Sequence, residues 1–205
     1  MAKRIPAKVK ARLDELDARI APLCNEADRA GLMRFVPSSA IILGAKVPKL
    51  RQLAKELWLE WEKPPVEELI ALMDVVCRRS HRERFLVLVF LLQRVRRFAE
   101  HEELWEAIDG WVDACVDWEM VDQLAGAVAG EFLVGAPPAR VKRLLEWTAS
   151  VNLWRRRFAL REACRSGGSD LVFDFLVAHR GEIHRRTLTE STKKLSDRQK
   201  VALRD

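Results

Sequence analysis

The chain has 205 residues, with 36 Lys+Arg against 30 Asp+Glu, seven Trp, eight Phe and no Tyr. A hydrophobic content of 49% with only nine Gly and eight Pro excludes a disordered, collagen-like or Gly/Ser-rich chain, and the length fits one domain, 1–205. The longest strongly apolar run, Phe85 to Leu92, is far short of the roughly 20 residues of a membrane span, and no apolar segment follows Lys3 and Arg4, so neither a membrane nor secretion is expected.

The charge is uneven. Arg140 to Asp205 holds 16 basic and 8 acidic residues, whereas the first 139 residues hold 20 basic and 22 acidic. Such a split points the C-terminal third at a polyanion; a solvated basic surface with no partner reads the same way. Cys24, Cys77, Cys115 and Cys164 lie far apart with no CxxC pair, and are expected as reduced, mostly buried thiols of a cytoplasmic protein. His81, His101, His179 and His184 lack metal-ligand spacing, so neither a metal nor a cofactor is expected.

In chain order, nearly every segment reads as helix. Residues 1–8 are expected to fray. From Lys8 to Asn25, Leu13, Leu16, Ile20 and Leu23 recur at three- and four-residue steps, with Pro22 dividing the stretch into two helical pieces. Gly44 suits a left-handed turn and Pro48 a first helical turn, opening a helix to about Trp61. Pro64-Pro65 separates it from a helix over 66–79. Helices are then expected over 82–99, 103–115 and 118–134. Gly135 and Pro137-Pro138 end the last of these and start another over 139–149. Asn152 is placed to cap a helix to about Arg165, and Ser166-Gly167-Gly168 breaks it. A helix is expected from Asp170 to His179, and 183–205 reads as a shortened polar end with Ser196 capping a short final helix.

Period-two alternation and hairpin dipeptides are absent, which makes the fold all-α. The helices group into hairpins over 48–79, 82–115, 118–149 and 152–180, the period of a HEAT-like α-solenoid of stacked antiparallel pairs with a concave basic face. Periodicity alone also fits a globular bundle. Trp58, Trp61, Trp105 and Trp111 are read as core.

Two clusters carry chemistry. In the first, Trp118 and Asp122 lie four apart on one helical face, directly behind Asp117. Asp122 is either a first-turn carboxylate behind an Asp117 cap or the acid of a cleft. In the second, Trp147-Thr148-Ala149-Ser150-Val151-Asn152-Leu153-Trp154-Arg155-Arg156-Arg157, Trp154, Arg157 and Arg161 share a face. Its arginines either grip phosphates or pair with Glu146 or Glu162, with Trp147 and Trp154 as core anchors.

Three stretches resemble the DNA alkylation repair family, the AlkD-like HEAT-repeat DNA glycosylases. They are Met33-Arg34-Phe35 through Ile42-Leu43-Gly44-Ala45-Lys46-Val47-Pro48-Lys49-Leu50-Arg51, then Trp118-Glu119-Met120-Val121-Asp122, and the Trp147 to Arg157 segment. The resemblance spans about two thirds of the chain. It implies excision of N3- or N7-alkylated purines from duplex DNA without base flipping, by a monomer working in the cytoplasm on the nucleoid. Trp118 and Asp122 match the family's catalytic pair, and Arg157 its backbone-gripping Arg. Arg156, Arg161, Trp154 and Phe35 fall beside them on the implied DNA-binding side.

The chain departs from the family at two places. Phe35 stands where the family has a Tyr, and Glu190 falls near a second Trp that is missing here. These departures support a second expectation, a catalytically inactive HEAT scaffold that binds nucleic acid or a protein partner.

Overall fold

A computed structural model describes residues 5–36, 38–95, 100–126, 138–166, 173, 177 and 195–202. Among them lie ten α-helices: α1 (Ala7–Ile20), α2 (Glu26–Phe35), α3 (Val47–Glu60), α4 (Val66–Cys77), α5 (Arg82–Leu92), α6 (Glu102–Ala114), α7 (Trp118–Leu124), α8 (Pro138–Thr148), α9 (Leu153–Ser166) and α10 (Asp197–Ala202). A 3-10 turn, Ala21–Leu23, follows α1 where Pro22 was expected to divide it. The only β geometry among the described residues is an isolated bridge between Ile41 and His81.

The helix starts follow their local chemistry. Asn25 caps α2 by accepting from the Asp28 N–H at 2.8 Å, and Asp117 caps α7 by accepting from Met120 N–H at 2.8 Å. Asn152 accepts from Trp154 N–H at 2.8 Å at the head of α9. Ser196 and Gln199 exchange bonds at the head of α10, with Gln199 N–H on the Ser196 hydroxyl and Ser196 N–H on the Gln199 side chain. Helix α2 is absent from the expected elements because it buries no residue and so carries no apolar stripe. Of the expected Asp170–His179 helix only residues 173 and 177 are described, both helical, and the Glu190 position lies outside the described residues.

The helices stack in two layers. Helices α3, α5, α7 and α9 pack side by side in one; α1, α4, α6 and α8 form the other. Helix α5 lies at the centre: every residue from Phe85 to Leu92 is buried, which is why its sequence is apolar on all sides. Burying such a side chain stabilises by about 1.5–3 kcal/mol relative to exposure, so α5 is the axis on which both layers assemble. The closest sequential pairs are α4 with α5 and α8 with α9. The hairpins among the described residues are therefore 66–92 and 138–166, the first of them one helix out of register with the expected 48–79; the expected 118–149 hairpin falls partly outside the described residues. Short connections mislead here, because α3 turns sideways to pack along α5 rather than folding back on α4.

A repeat period is visible in the polar bonds between layers and repeats. Arg19 pairs with Glu56, Arg82 with Glu119, Arg143 with Glu106, and Trp111 donates to Asp74, each pair separated by 37 residues. A bond spacing that recurs along the stack fits the repeated helical units of an α-solenoid.

Trp61, Trp105, Trp111 and Trp147 are core residues, and Trp58 packs half-buried against that core. Cys24, Cys77 and Cys115 are free thiols, and burial pushes the Cys77 thiol up to about 12. No helix among the described residues is long and apolar enough to cross a membrane.

Gly44 holds the loop before α3 in a left-handed conformation, with φ of 100°. A Cβ there would lie 2.4 Å from the Asn25 carbonyl oxygen and 2.9 Å from the Arg29 nitrogen. Gly44→Ala is therefore expected to displace the head of α2 and destabilise the fold by about 2–5 kcal/mol. A urea midpoint equal to that of the wild type would contradict this.

Candidate nucleic-acid interface and active site

The candidate site forms where α2, α7 and α9 meet. The Asp117 cap starts α7 immediately after Val116, so Trp118 occupies its first turn and Asp122 stands one turn on. Phe35, the last residue of α2, is 62% exposed. Its ring meets Trp118 edge to face, with centroids 5.6 Å apart and planes at 84°. Trp118 is half-buried.

Asp122 is held from α9. Arg157 donates through Nε to Oδ1 and through Nη2 to Oδ2, both at 2.7 Å. Arg161, one turn further along α9, brings its Nε to 3.6 Å from Oδ1. The parallel fork fixes the plane of the carboxylate. The Arg157 side chain is fully buried, and that of Asp122 is 14% exposed. Arg157, expected at a phosphate, thus turns these donors inward onto the carboxylate. The half-buried Arg161 reaches the same acid from nearer the surface.

The other expected residues sit around this core. Trp154 is half-buried against the hydrophobic cluster. Arg156 donates through Nη1 to the carbonyls of Ser150 and Val151, at 2.6 and 3.2 Å. Arg155 leaves the site altogether. It forks Asp113 of α6, with Nη2 at 2.6 Å from Oδ2, and lies over the Trp147 ring at 5.2 Å. That bond is the main reason the Asp113 carboxyl lies below its ordinary range.

Much of the described basic third is spent in the same way. Arg140 pairs with Glu102, and Arg143 with Glu106 and Asp109. The charge split of the sequence is therefore partly an internal match between α6 and helices α8 and α9, instead of Glu146 or Glu162 taking the Arg155 charge.

Sequence reasoning missed the network behind the site. Arg82 forks Glu119, with Nε 2.6 Å from Oε2 and Nη2 2.9 Å from Oε1. Its Nη1 donates to the Ala45 carbonyl at 2.9 Å and to Glu83 at 3.1 Å. Glu83 in turn accepts the N–H groups of Leu43 and Gly44 at 3.1 Å and of Ala45 at 3.4 Å. One buried knot thereby joins the 43–45 loop to the first turns of α5 and α7, and so fixes where Trp118 stands. The available signal was three adjacent charges, Arg82-Glu83-Arg84, opening a helix that is otherwise wholly apolar, with the first two of them buried.

His81, just before this knot, is buried, with Nδ1 4.0 Å from Glu83 Oε2. Burial, and next the nearby Arg84 guanidinium, hold its imidazole below the ordinary 6.5. The unfolded chain therefore binds the proton more readily than the folded one. This group's contribution to stability is full above about pH 6.5 and is lost as pH falls through the lowered folded value. His81→Gln is expected to flatten the loss of stability between pH 7 and 5; an identical slope in urea titrations would refute that.

Among the described residues no group of three or more His, Cys, Asp or Glu is placed to hold a metal ion. No curated protein matches the chain. The family model described as DNA alkylation repair enzyme matches residues 16–167, well over half of the chain. That match runs through α2, α7 and α9 and every residue of the site just described, and the chain belongs to the DNA alkylation repair enzyme family.

Proposed function

We propose that the protein is a DNA glycosylase that excises cationic N3- or N7-alkylated purines from duplex DNA, through a HEAT-like inner face and without extruding the base. The observation that carries this reading is the placement of the Trp118 indole and the Asp122 carboxylate one turn apart on α7, beside exposed Phe35. An alkylated purine already bears positive charge, so it leaves with little general-acid help. As the glycosidic bond breaks, the sugar gains oxocarbenium character. A fixed carboxylate beside C1′ favours that cation and orients water towards it, and an indole face favours positive charge as well.

Arg157 and Arg161 act on this chemistry in two ways. They hold the carboxylate in one orientation, which removes reorganisation at the moment of reaction. They also offset part of its negative charge, so it serves best on a substrate that is already cationic. Phe35, lacking a hydroxyl, adds an apolar edge without a hydrogen-bond donor. Trp154, Arg156 and Arg161 line the DNA side around it.

A second reading has its own observation: the buried Arg157 fork makes Asp122 a structural ion-pair partner. In that case the protein is a non-catalytic scaffold that binds nucleic acid or a protein. Incubation with methylated duplex DNA, followed by chromatography of released bases, separates the two. The glycosylase reading expects free 7-methylguanine or 3-methyladenine above the spontaneous rate; none, alongside intact duplex binding, leaves the scaffold.

A further inference from the structure

Among the described residues most arginines are neutralised. Arg19, Arg82, Arg84, Arg140, Arg143, Arg155 and Arg157 each rest on a carboxylate. Arg51 on α3 is held differently. Its Nη1 donates to the side-chain oxygen of Gln93 at 3.3 Å and its Nη2 to that of Gln123 at 3.0 Å. Its guanidinium carbon lies 4.1 Å from the centre of the Phe90 ring. Among the described residues no carboxylate lies within ion-pair distance of it, and the residue is exposed.

This arrangement orients a cation without cancelling its charge. Two amide oxygens fix the guanidinium plane, and the aromatic face covers one side of it. A guanidinium has five N–H donors, and the two Gln bonds leave Nε–H and one hydrogen on each terminal nitrogen for an anion. The rotamer entropy usually lost on binding is already spent in the free protein. Gln93 follows α5 and Gln123 lies on α7, so the cradle spans three neighbouring helices of the layer that carries Asp122. Gln123 is the residue after Asp122, which brings the cradle to the edge of the candidate site.

We propose that Arg51, set by Gln93, Gln123 and Phe90, grips a phosphate of the DNA duplex while the buried Arg157 serves Asp122. This assignment rests on the reading of the protein as a DNA-acting enzyme for its choice of anion, but not on base excision.

The test is anisotropy titration of an undamaged labelled duplex at several salt concentrations. Arg51→Ala is expected to weaken binding about 5- to 10-fold and to reduce the salt slope by about 0.9, one phosphate's share. Arg51→Lys, which keeps the charge but loses the planar fork, should recover the slope and only part of the affinity. Arg78→Ala removes an equal charge at the end of α4 in the other layer and should shift affinity less than twofold.

Gln123→Glu distinguishes a charge effect from a packing effect. It gives Arg51 a carboxylate partner, so the fold should be as stable or more stable while duplex binding weakens to near the Arg51→Ala level. Unchanged affinity and slope for Arg51→Ala, or unchanged binding for Gln123→Glu, overturns the proposal. So does polyglutamate competing as well as unlabelled duplex at equal charge. Arg51-dependent binding without base release defeats the glycosylase reading alone; base release with Arg51-independent binding defeats this assignment alone.

Discussion

Asp122→Asn is expected to slow release of alkylated purine by about 10²–10³-fold, the usual loss when one preorganised electrostatic group is removed from a transition state. Duplex affinity should stay within about twofold of the wild type, because Asp122 repels rather than attracts the phosphates. The variant has a structural cost too. Arg157 is fully buried and loses its countercharge, and Arg161 stays next to it without the acid that both now approach. Breaking a buried pair by removing one partner typically costs about 3–5 kcal/mol, so rate and stability must be separated. Asp122→Asn/Arg157→Gln replaces the ion pair by two neutral amides of similar size. It should regain most of the lost stability and none of the lost activity. If the double variant regained both, Asp122 would be a structural acid and catalysis would lie elsewhere. If the single variant excised base at the wild-type rate while folded, the proposed role of Asp122 would fail.

What the sequence made legible divides by range. Element starts are set by a few neighbouring atoms. Asp117, Asn152 and Ser196 could therefore be read as caps, and each accepts the expected backbone N–H. The left-handed Gly44 belongs to the same class, and so does the shared face of Trp118 and Asp122, which follows from helical pitch alone. The partners of charged side chains were not legible in this way. Arg157 finds Asp122 across 35 residues, and Arg155 finds Asp113 across 42. Nothing local chooses Asp113 over Glu146 for Arg155; the layer packing does. A period was present in other acid–base couples, 37 residues apart, such as Arg82 with Glu119. It was hidden because the repeats share little identity. Helix α2 escaped for the opposite reason. It has a good cap in Asn25 but no buried face, so the apolar periodicity that exposes other helices was missing.

The second large effect is expected at the buried knot, where charge counting ranks the variants. Arg82, Glu83 and Glu119 are nearly or wholly excluded from solvent. One positive and two negative groups leave a formal excess of one negative charge. Three loop N–H groups on Glu83, and the N-terminal turns of α5 and α7 that hold the two glutamates, offset that excess. Glu119→Gln removes the excess charge and leaves Arg82 matched to Glu83, so it should cost only about 1–3 kcal/mol for the weakened fork. Arg82→Met is far worse. It fills similar space but leaves two carboxylates confined together with no cation, and should cost at least about 3–5 kcal/mol. For a chain of this length that corresponds to a fall in Tm of roughly 6–20 °C. The loss should also loosen the first turn of α7, so fluorine NMR of labelled Trp118 should broaden in Arg82→Met and stay sharp in Glu119→Gln. Arg82→Met/Glu119→Leu, which removes the second acid as well, should recover part of the stability although it deletes more polar bonds. The order matters more than any single value. If Arg82→Met proved no more costly than Glu119→Gln, the knot would act by packing alone, and the electrostatic account of how α7 is held would be wrong.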